Sequence, residues 1–515
     1  MATARRNTSA LDTATIELVD AGISQLQSAM TEGRISSAGL VRAYLERIRR
    51  IDRTGPRIKS VIELNPDAVG IARELDRERA GGISRGPLHG IPVLIKDNIA
   101  TADAMQTTAG SLALMGIKPP RDATIVARLR DAGAVILGKT NLSEWANIRS
   151  IRSTSGWSAR GGLTRNPYAL DRNTSGSSSG SAAAIAASLA AVAVGTETDG
   201  SIISPSTMNG LVGIKPTVGL VSRYGIIPIA HSQDTAGPMA RTVADAAMLL
   251  SVLAASDTND PATADASSKP KSYADFVDKD GLQGMRLGIV RANFGGRNDL
   301  VSAVVEHALS VMKSRGAILI DVELPNVAKY GATELEVLLY ELKAGMAKYL
   351  GEFAPGSPYR SLSDVIAFNE REKTREMPYF GQELFLRAEA KGGLDSKEYI
   401  EALANNHRYS RAEGIDQVLA AHKLDALIAP SGGLPWLTDF YKGDYSGGGF
   451  TQPAAVAGYP HITVPAGFVH GLPVGVSFVG TAWSEPTLIR IASGYEHASR
   501  ARRPPTYAKS MNVQA

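Results

Sequence analysis

Apolar residues along this chain recur first at helical spacing and then in short unbroken runs, and the alternation repeats. Between residues 23 and 52 they fall every three or four positions, with Ser36-Ser37 placed to cap a helix carrying Leu40, Tyr44, Leu45 and Ile48. A strand-like run over 58–64 and a helix from Pro66 follow. The spacing then predicts a helix over 123–132 and a buried strand over 134–137, and the alternation continues to about residue 253. A stretch rich in Asp, Ala, Ser and Pro, 256–272, reads as a surface connection. Strands around a helix are expected at 285–290 and 317–322, long helices at 334–350 and 396–421, and strands again at 426–429, 462–465 and 474–480. The pattern implies one α/β domain, in which a helical insertion at about 326–425 interrupts a sheet that the C-terminal part completes.

Composition narrows the class. A chain of 515 residues that is 44% hydrophobic can bury one large core or two ordinary ones, and 51 glycines imply many turns. Lys and Arg (55) nearly balance Asp and Glu (51) and are interspersed with them, so no nucleic-acid partner is expected; Arg500 to Arg503 reads as a solvated end. No apolar run is long enough to span a bilayer and the first twenty residues lack a signal-peptide core. No membrane association is therefore expected, and the expected setting is the cytoplasm, or the periplasm or exterior if a leader was removed. With no cysteine, thiolate nucleophiles, disulfides and Cys-based zinc sites are excluded; the eight histidines show no ligand spacing, so neither metal nor cofactor is expected.

Candidate chemistry lies in two serine-glycine stretches, 176–181 (Gly-Ser-Ser-Ser-Gly-Ser) and 195–202 (Gly-Thr-Glu-Thr-Asp-Gly-Ser-Ile), either side of the apolar segment 182–194. Each is too short, and too closely followed by apolar residues, to be a linker. Serine supplies an oxygen nucleophile and glycine the close approach that a reacting carbonyl needs, which points to acyl transfer. A third segment, 90–98 (Gly-Ile-Pro-Val-Leu-Ile-Lys-Asp-Asn), places Lys96 at the end of an apolar run. Three other matches fail on context. The phosphate-loop pattern at 133–140 has Ala-Val-Ile-Leu at its variable positions, which read as a strand. Gly176 to Gly180 fits a nucleophile elbow that would make Ser178 the nucleophile with His461 or His470, but the preceding residues 168–174 are polar and turn-like. Ser310 and Lys313 share a predicted helix without companion motifs.

These three segments, with 210–216 (Gly-Leu-Val-Gly-Ile-Lys-Pro), 237–242 (Gly-Pro-Met-Ala-Arg-Thr), 457–460 and 471–475, resemble the amidase signature family over roughly residues 20–505. Segments 143–147, 155–161 and 480–486 are most similar to the branch that removes C-terminal amides from peptides. The resemblance implies a single domain with a central mixed β-sheet surrounded by helices. It implies that Ser201 is the nucleophile, Ser177 a bridging serine behind a cis Gly176–Ser177 bond, and Lys96 the base. It places the oxyanion against the backbone amides of Thr198, Asp199, Gly200 and Ser201, and the substrate near Ile151, Ser178 and Trp436. Small-molecule or peptide amides are the implied substrates, and a monomer or homodimer the implied assembly. An anilide-cleaving aryl acylamidase is the alternative. An amidotransferase component working with partner subunits is disfavoured by Asp199, where most members have glycine, and by Ile203, where many have arginine. Lysine can act as a base only if burial lowers its pKa from about 10.4. The competing reading makes Lys96 a charged partner of Asp97.

Overall fold

The computed structural model describes residues 17–293, 298–445 and 447–512. Most of the N-terminal stretch read for a leader, 1–16, lies outside the described residues. Thirteen strands occur among them: β1 (Val61–Leu64), β2 (Pro92–Lys96), β3 (Val135–Thr140), β4 (Trp157–Ser158), β5 (Gly162–Leu163), β6 (Val192–Glu197), β7 (Val212–Lys215), β8 (Thr235–Ala240), β9 (Arg286–Val290), β10 (Ile318–Val322), β11 (Ala426–Pro430), β12 (His461–Val469) and β13 (Leu472–Val479). Eleven form one sheet in the order β1-β3-β2-β6-β8-β7-β12-β13-β11-β9-β10, while β4 and β5 make a separate ribbon. The sheet is mixed: β3, β2 and β6 run parallel, as do β11, β9 and β10, and the strands between them pair antiparallel.

Every residue of β2, β3 and β6 is buried, which is why β2 and the start of β3 read as apolar runs rather than alternating ones. Helix Ser179–Ala186, buried along its whole length, packs against this part of the sheet. Only small residues allow that approach. A Cβ at Gly180 would stand 2.3 Å from the Ser60 carbonyl oxygen and 2.4 Å from that of Asn141. The serine-glycine stretch is therefore the tight entry to a helix pressed onto the sheet.

Between β10 and β11 the chain is helical, with Val327–Phe353, Leu362–Arg371, Glu383–Glu389 and Lys397–Ser410 as its longer pieces. Three expectations need correction. The helix expected over 396–421 breaks at Gly414 (φ −134°, ψ −110°), where a Cβ would meet the Tyr409 carbonyl at 2.4 Å. The opening segment splits into Ile23–Thr31 and Ser37–Arg47, the second capped by Ser36 Oγ accepting from Gly39 N, and the strand after it is confined to Val61–Leu64. At the C-terminal end, Arg502 ion-pairs with Asp20, so the basic run is partly tied down rather than free in solvent.

Candidate active site

Lys96 ends β2, whose parallel register with β6 (Ile95 opposite Val194) brings its side chain level with Gly195 and Thr196. Its amine is wholly buried. Nζ lies 2.7 Å from Ser177 Oγ, 2.8 Å from Thr196 Oγ1 and 3.2 Å from the Thr196 carbonyl oxygen. A neutral amine fits these contacts: it donates to the two Thr196 oxygens and keeps a lone pair for the Ser177 hydroxyl. Burial brings the Lys96 pKa down to about 7, only partly opposed by the negative charges of Asp234 and Glu197. Asp97, the alternative partner, points elsewhere. It ion-pairs with Arg160 at 3.2 Å and accepts from Thr108 Oγ1 at 2.5 Å, and among the described residues no carboxylate oxygen lies within ion-pair distance of Lys96.

Gly176–Ser177 is a cis peptide bond, and Ser177 is wholly buried. The turn is held by Ser143 N, which donates to the Ser177 carbonyl at 3.1 Å, and by Ser178 N, which donates to the Ser201 carbonyl at 3.2 Å. The two serine turns are thus in backbone contact. The Ser178 hydroxyl braces the turn, donating to the Thr196 carbonyl at 3.0 Å and accepting from Thr196 N at 3.2 Å. His461 of the elbow reading lies buried in β12 against Ser477, its pKa brought down to about 3 by burial.

Ser201 retains some exposure at 7% and stands just before helix Ile203–Met208. Glu197 fixes this junction by accepting from Ile202 N at 2.7 Å and Ile203 N at 2.9 Å. Gly200 adopts φ +77°, and a Cβ there would lie 3.0 Å from Ser204 Oγ and 3.1 Å from Thr451 Oγ1. The backbone N–H groups of Thr198, Asp199, Gly200 and Ser201 donate to no protein group among the described residues. Four adjacent free donors beside a partly exposed serine make a cradle for developing negative charge. Thr198 Oγ1 donates to Asp234 at 2.5 Å, and Asp234 also accepts from Ile229 N and Ala230 N, both at 2.9 Å.

A cavity of about 510 Å³ reaches the site at Asn98, Thr196, Thr198 and Asp234 and is otherwise walled largely by apolar groups, including Tyr224, Ile226, Ile227, Tyr349 and Phe353. Its one arginine, Arg223, is occupied by Asp260, with Nε to Oδ2 at 2.8 Å. The structure does not bring Ile151 or Trp436 to this cavity: Ile151 is 68% exposed beside Glu383, and Trp436 is buried with its carbonyl accepting from Asn173 N at 2.7 Å.

The remaining motif matches have structural roles. Lys139 of the phosphate-loop match is buried in β3 and donates to the Ile99 carbonyl and Thr107 Oγ1. Ser310 donates to the Glu306 carbonyl within helix Asp299–Ser314. Among the described residues no cluster of His, Asp or Glu is arranged to hold a metal, and no helix is long and apolar enough to cross a membrane. Sequence reasoning missed Thr196 as the second anchor of Lys96, Asp234, and Asn98, whose Nδ2 donates to Thr196 Oγ1 at 3.0 Å. Thr196 and Asn98 lie inside motifs already noted, but only the sheet register brings them together.

Comparison with known proteins places the chain in a family. The amidase family model matches residues 39–489. The crystal structure of native peptide amidase from Stenotrophomonas maltophilia is 53% identical and superposes with a TM-score of 0.91, covering 95% of this chain and 99% of that one. An Arabidopsis thaliana protein named "probable amidase" is 44% identical over 96% of this chain and 93% of its own length. A glutamyl-tRNA(Gln) amidotransferase subunit from Myxococcus xanthus is 36% identical over 93% of this chain and 98% of its own length.

Proposed function

The chain belongs to the amidase family and is an amide-hydrolysing enzyme, and we propose that it cleaves the C-terminal carboxamide of peptides through an acyl-enzyme on Ser201. The observation that carries the mechanism is a buried lysine without a carboxylate partner among the described residues, 2.7 Å from Ser177, whose turn backs onto that of Ser201. Neutral Lys96 accepts the Ser177 proton as Ser177 accepts that of Ser201, and the Ser201 oxygen attacks the amide carbon. The carbonyl oxygen, now negative, takes hydrogen bonds from the free N–H groups of Thr198 to Ser201. Collapse of the tetrahedral intermediate breaks the C–N bond, the relay returns a proton to nitrogen, and ammonia leaves. Water then hydrolyses the ester by the same relay, releasing the peptide acid and restoring Ser201.

The peptide substrate class is supported by the 53% identity to peptide amidase over nearly the whole chain, and the apolar cavity, within the usual range for ligand sites, suits an uncharged acyl portion. The similarity to amidotransferase components favours a second reading, ammonia release from glutamine with partner subunits. A panel separates them: ammonia from N-acylated dipeptide amides, aniline from acyl anilides, and ammonia from glutamine. Turnover fastest on dipeptide amides is the expected result. Faster turnover of anilides would make it an aryl acylamidase, and glutamine hydrolysis alone would overturn the peptide reading.

A further inference from the structure

Asp199 is the residue that the mechanism leaves unexplained, since it adds a carboxyl group to a backbone that must stabilise negative charge. Asp199 is half-buried as a residue, yet its Oδ1 is closed off from solvent and has no hydrogen-bond partner. The Thr451 hydroxyl, which can accept as well as donate, hydrogen-bonds the carboxyl. A second carboxyl, Glu334 of helix Val327–Phe353, is buried and tied to the same turn by Gln233 Nε2, which donates to the Thr198 carbonyl at 3.2 Å as well as to Glu334, and its charge acts on Asp199. Glu334 is saturated as an acceptor: Oε1 takes the Gln233 amide at 2.9 Å and Oε2 the Gln452 amide at 2.7 Å. Amide donors on both oxygens favour the carboxylate form of Glu334, whereas a carboxyl with one orphaned oxygen, next to that charge, favours the acid.

We propose that Asp199 is a positioning residue that works as a neutral acid, kept protonated by the Glu334 carboxylate, and that losing this proton removes the oxyanion stabilisation its own backbone supplies. The proposal rests on the amide-hydrolysis reading above. Both carboxyls have pKa values raised above the ordinary range, first by burial; for Asp199 the Glu334 charge comes next. The other ionisable groups around them are Glu197 at the end of β6, Lys215 of β7 and Tyr330 on the Glu334 helix; Glu485 and Arg411 act on Lys215. The Thr451 hydrogen bond opposes the raising effect, Glu197 adds to it and Lys215 opposes it. A new negative charge on a residue whose own N–H faces the oxyanion, at an effective dielectric near 20, slows the reaction by roughly tenfold or more.

The test is the alkaline side of the pH–rate profile for dipeptide amide hydrolysis, read with an infrared measurement that needs no activity. In wild type, kcat/KM rises as Lys96 deprotonates and falls at higher pH as Asp199 ionises. Asp199→Asn abolishes the fall. Glu334→Gln moves it to lower pH, because the charge that retained the proton is gone. A residue that only supported the turn would not move the limb in these two directions. Difference infrared spectra at neutral pH should show a protonated carboxyl band that Asp199→Asn removes. An alkaline limb unchanged in both variants, or no band lost on Asp199→Asn, overturns the proposal. If wild type releases no ammonia from any amide, the functional reading fails, while the band still decides the protonation of Asp199.

Discussion

Lys96→Met separates a neutral base from a charged structural lysine through the slope of a stability difference. Methionine has a similar length and packs in the same place but accepts no proton. The Lys96 pKa falls from 10.5 in the unfolded chain to about 7 in the fold, a difference of about 3.5, or ~5 kcal/mol of preference for the neutral amine. Between those values the unfolded chain binds a proton that the folded chain does not, so wild-type stability from this group rises with pH across the window. The variant lacks that contribution. Its stability minus that of wild type should therefore fall by about 1.4 kcal/mol per pH unit, or roughly 2.7 kcal/mol between pH 7.5 and 9.5. Lost hydrogen bonds to Thr196 and Ser177 cost about 1 kcal/mol each but do not depend on pH, and other titrating groups cancel in the difference. Urea unfolding of both proteins at the two pH values provides the measurement, with kcat/KM expected to drop by roughly 10²-fold or more. A pH-independent stability difference would show that Lys96 is charged in the fold and would refute the assignment of the base.

Ser177→Ala should lower kcat by roughly 10²-fold or more with a much smaller change in KM, because it breaks the relay between Lys96 and Ser201; steady-state kinetics on a dipeptide amide decides this. Gly200→Ala places a Cβ at φ +77° and 3.0 Å from Ser204 Oγ, so it should cost about 1–2 kcal/mol in thermal unfolding and lower kcat by turning the N–H donors away. Gly180→Ala, whose Cβ would meet two backbone carbonyls at 2.3 and 2.4 Å, should destabilise the protein more than Gly200→Ala in the same unfolding assay.

What was legible in the sequence was local. Gly180 is required by a helix lying against backbone carbonyls, and Lys96 announces itself as the single charge of the buried strand β2. The apolar runs of β2 and of the first half of β3 likewise declared buried strands. What was not legible depends on register and long-range packing. Thr196 becomes an anchor for Lys96 only because β2 and β6 pair in parallel, and Glu334 reaches Asp199 from a helix more than a hundred residues away. The break at Gly414 follows from close backbone approach to Tyr409, which the helical spacing of the apolar residues does not report. Glycine and proline at 237–238 likewise disguise β8, where Pro238 lies opposite Val194.

The central claim is that an acyl group passes through Ser201. Wild-type enzyme quenched in acid during turnover of a dipeptide amide, then digested and mapped by mass spectrometry, tests it directly. The account predicts an added mass equal to the acyl portion on the peptide carrying Ser201, localised to that residue and absent from Ser201→Ala. An acyl group on Ser178 or Ser177 instead, or steady ammonia release by Ser201→Ala, would contradict it.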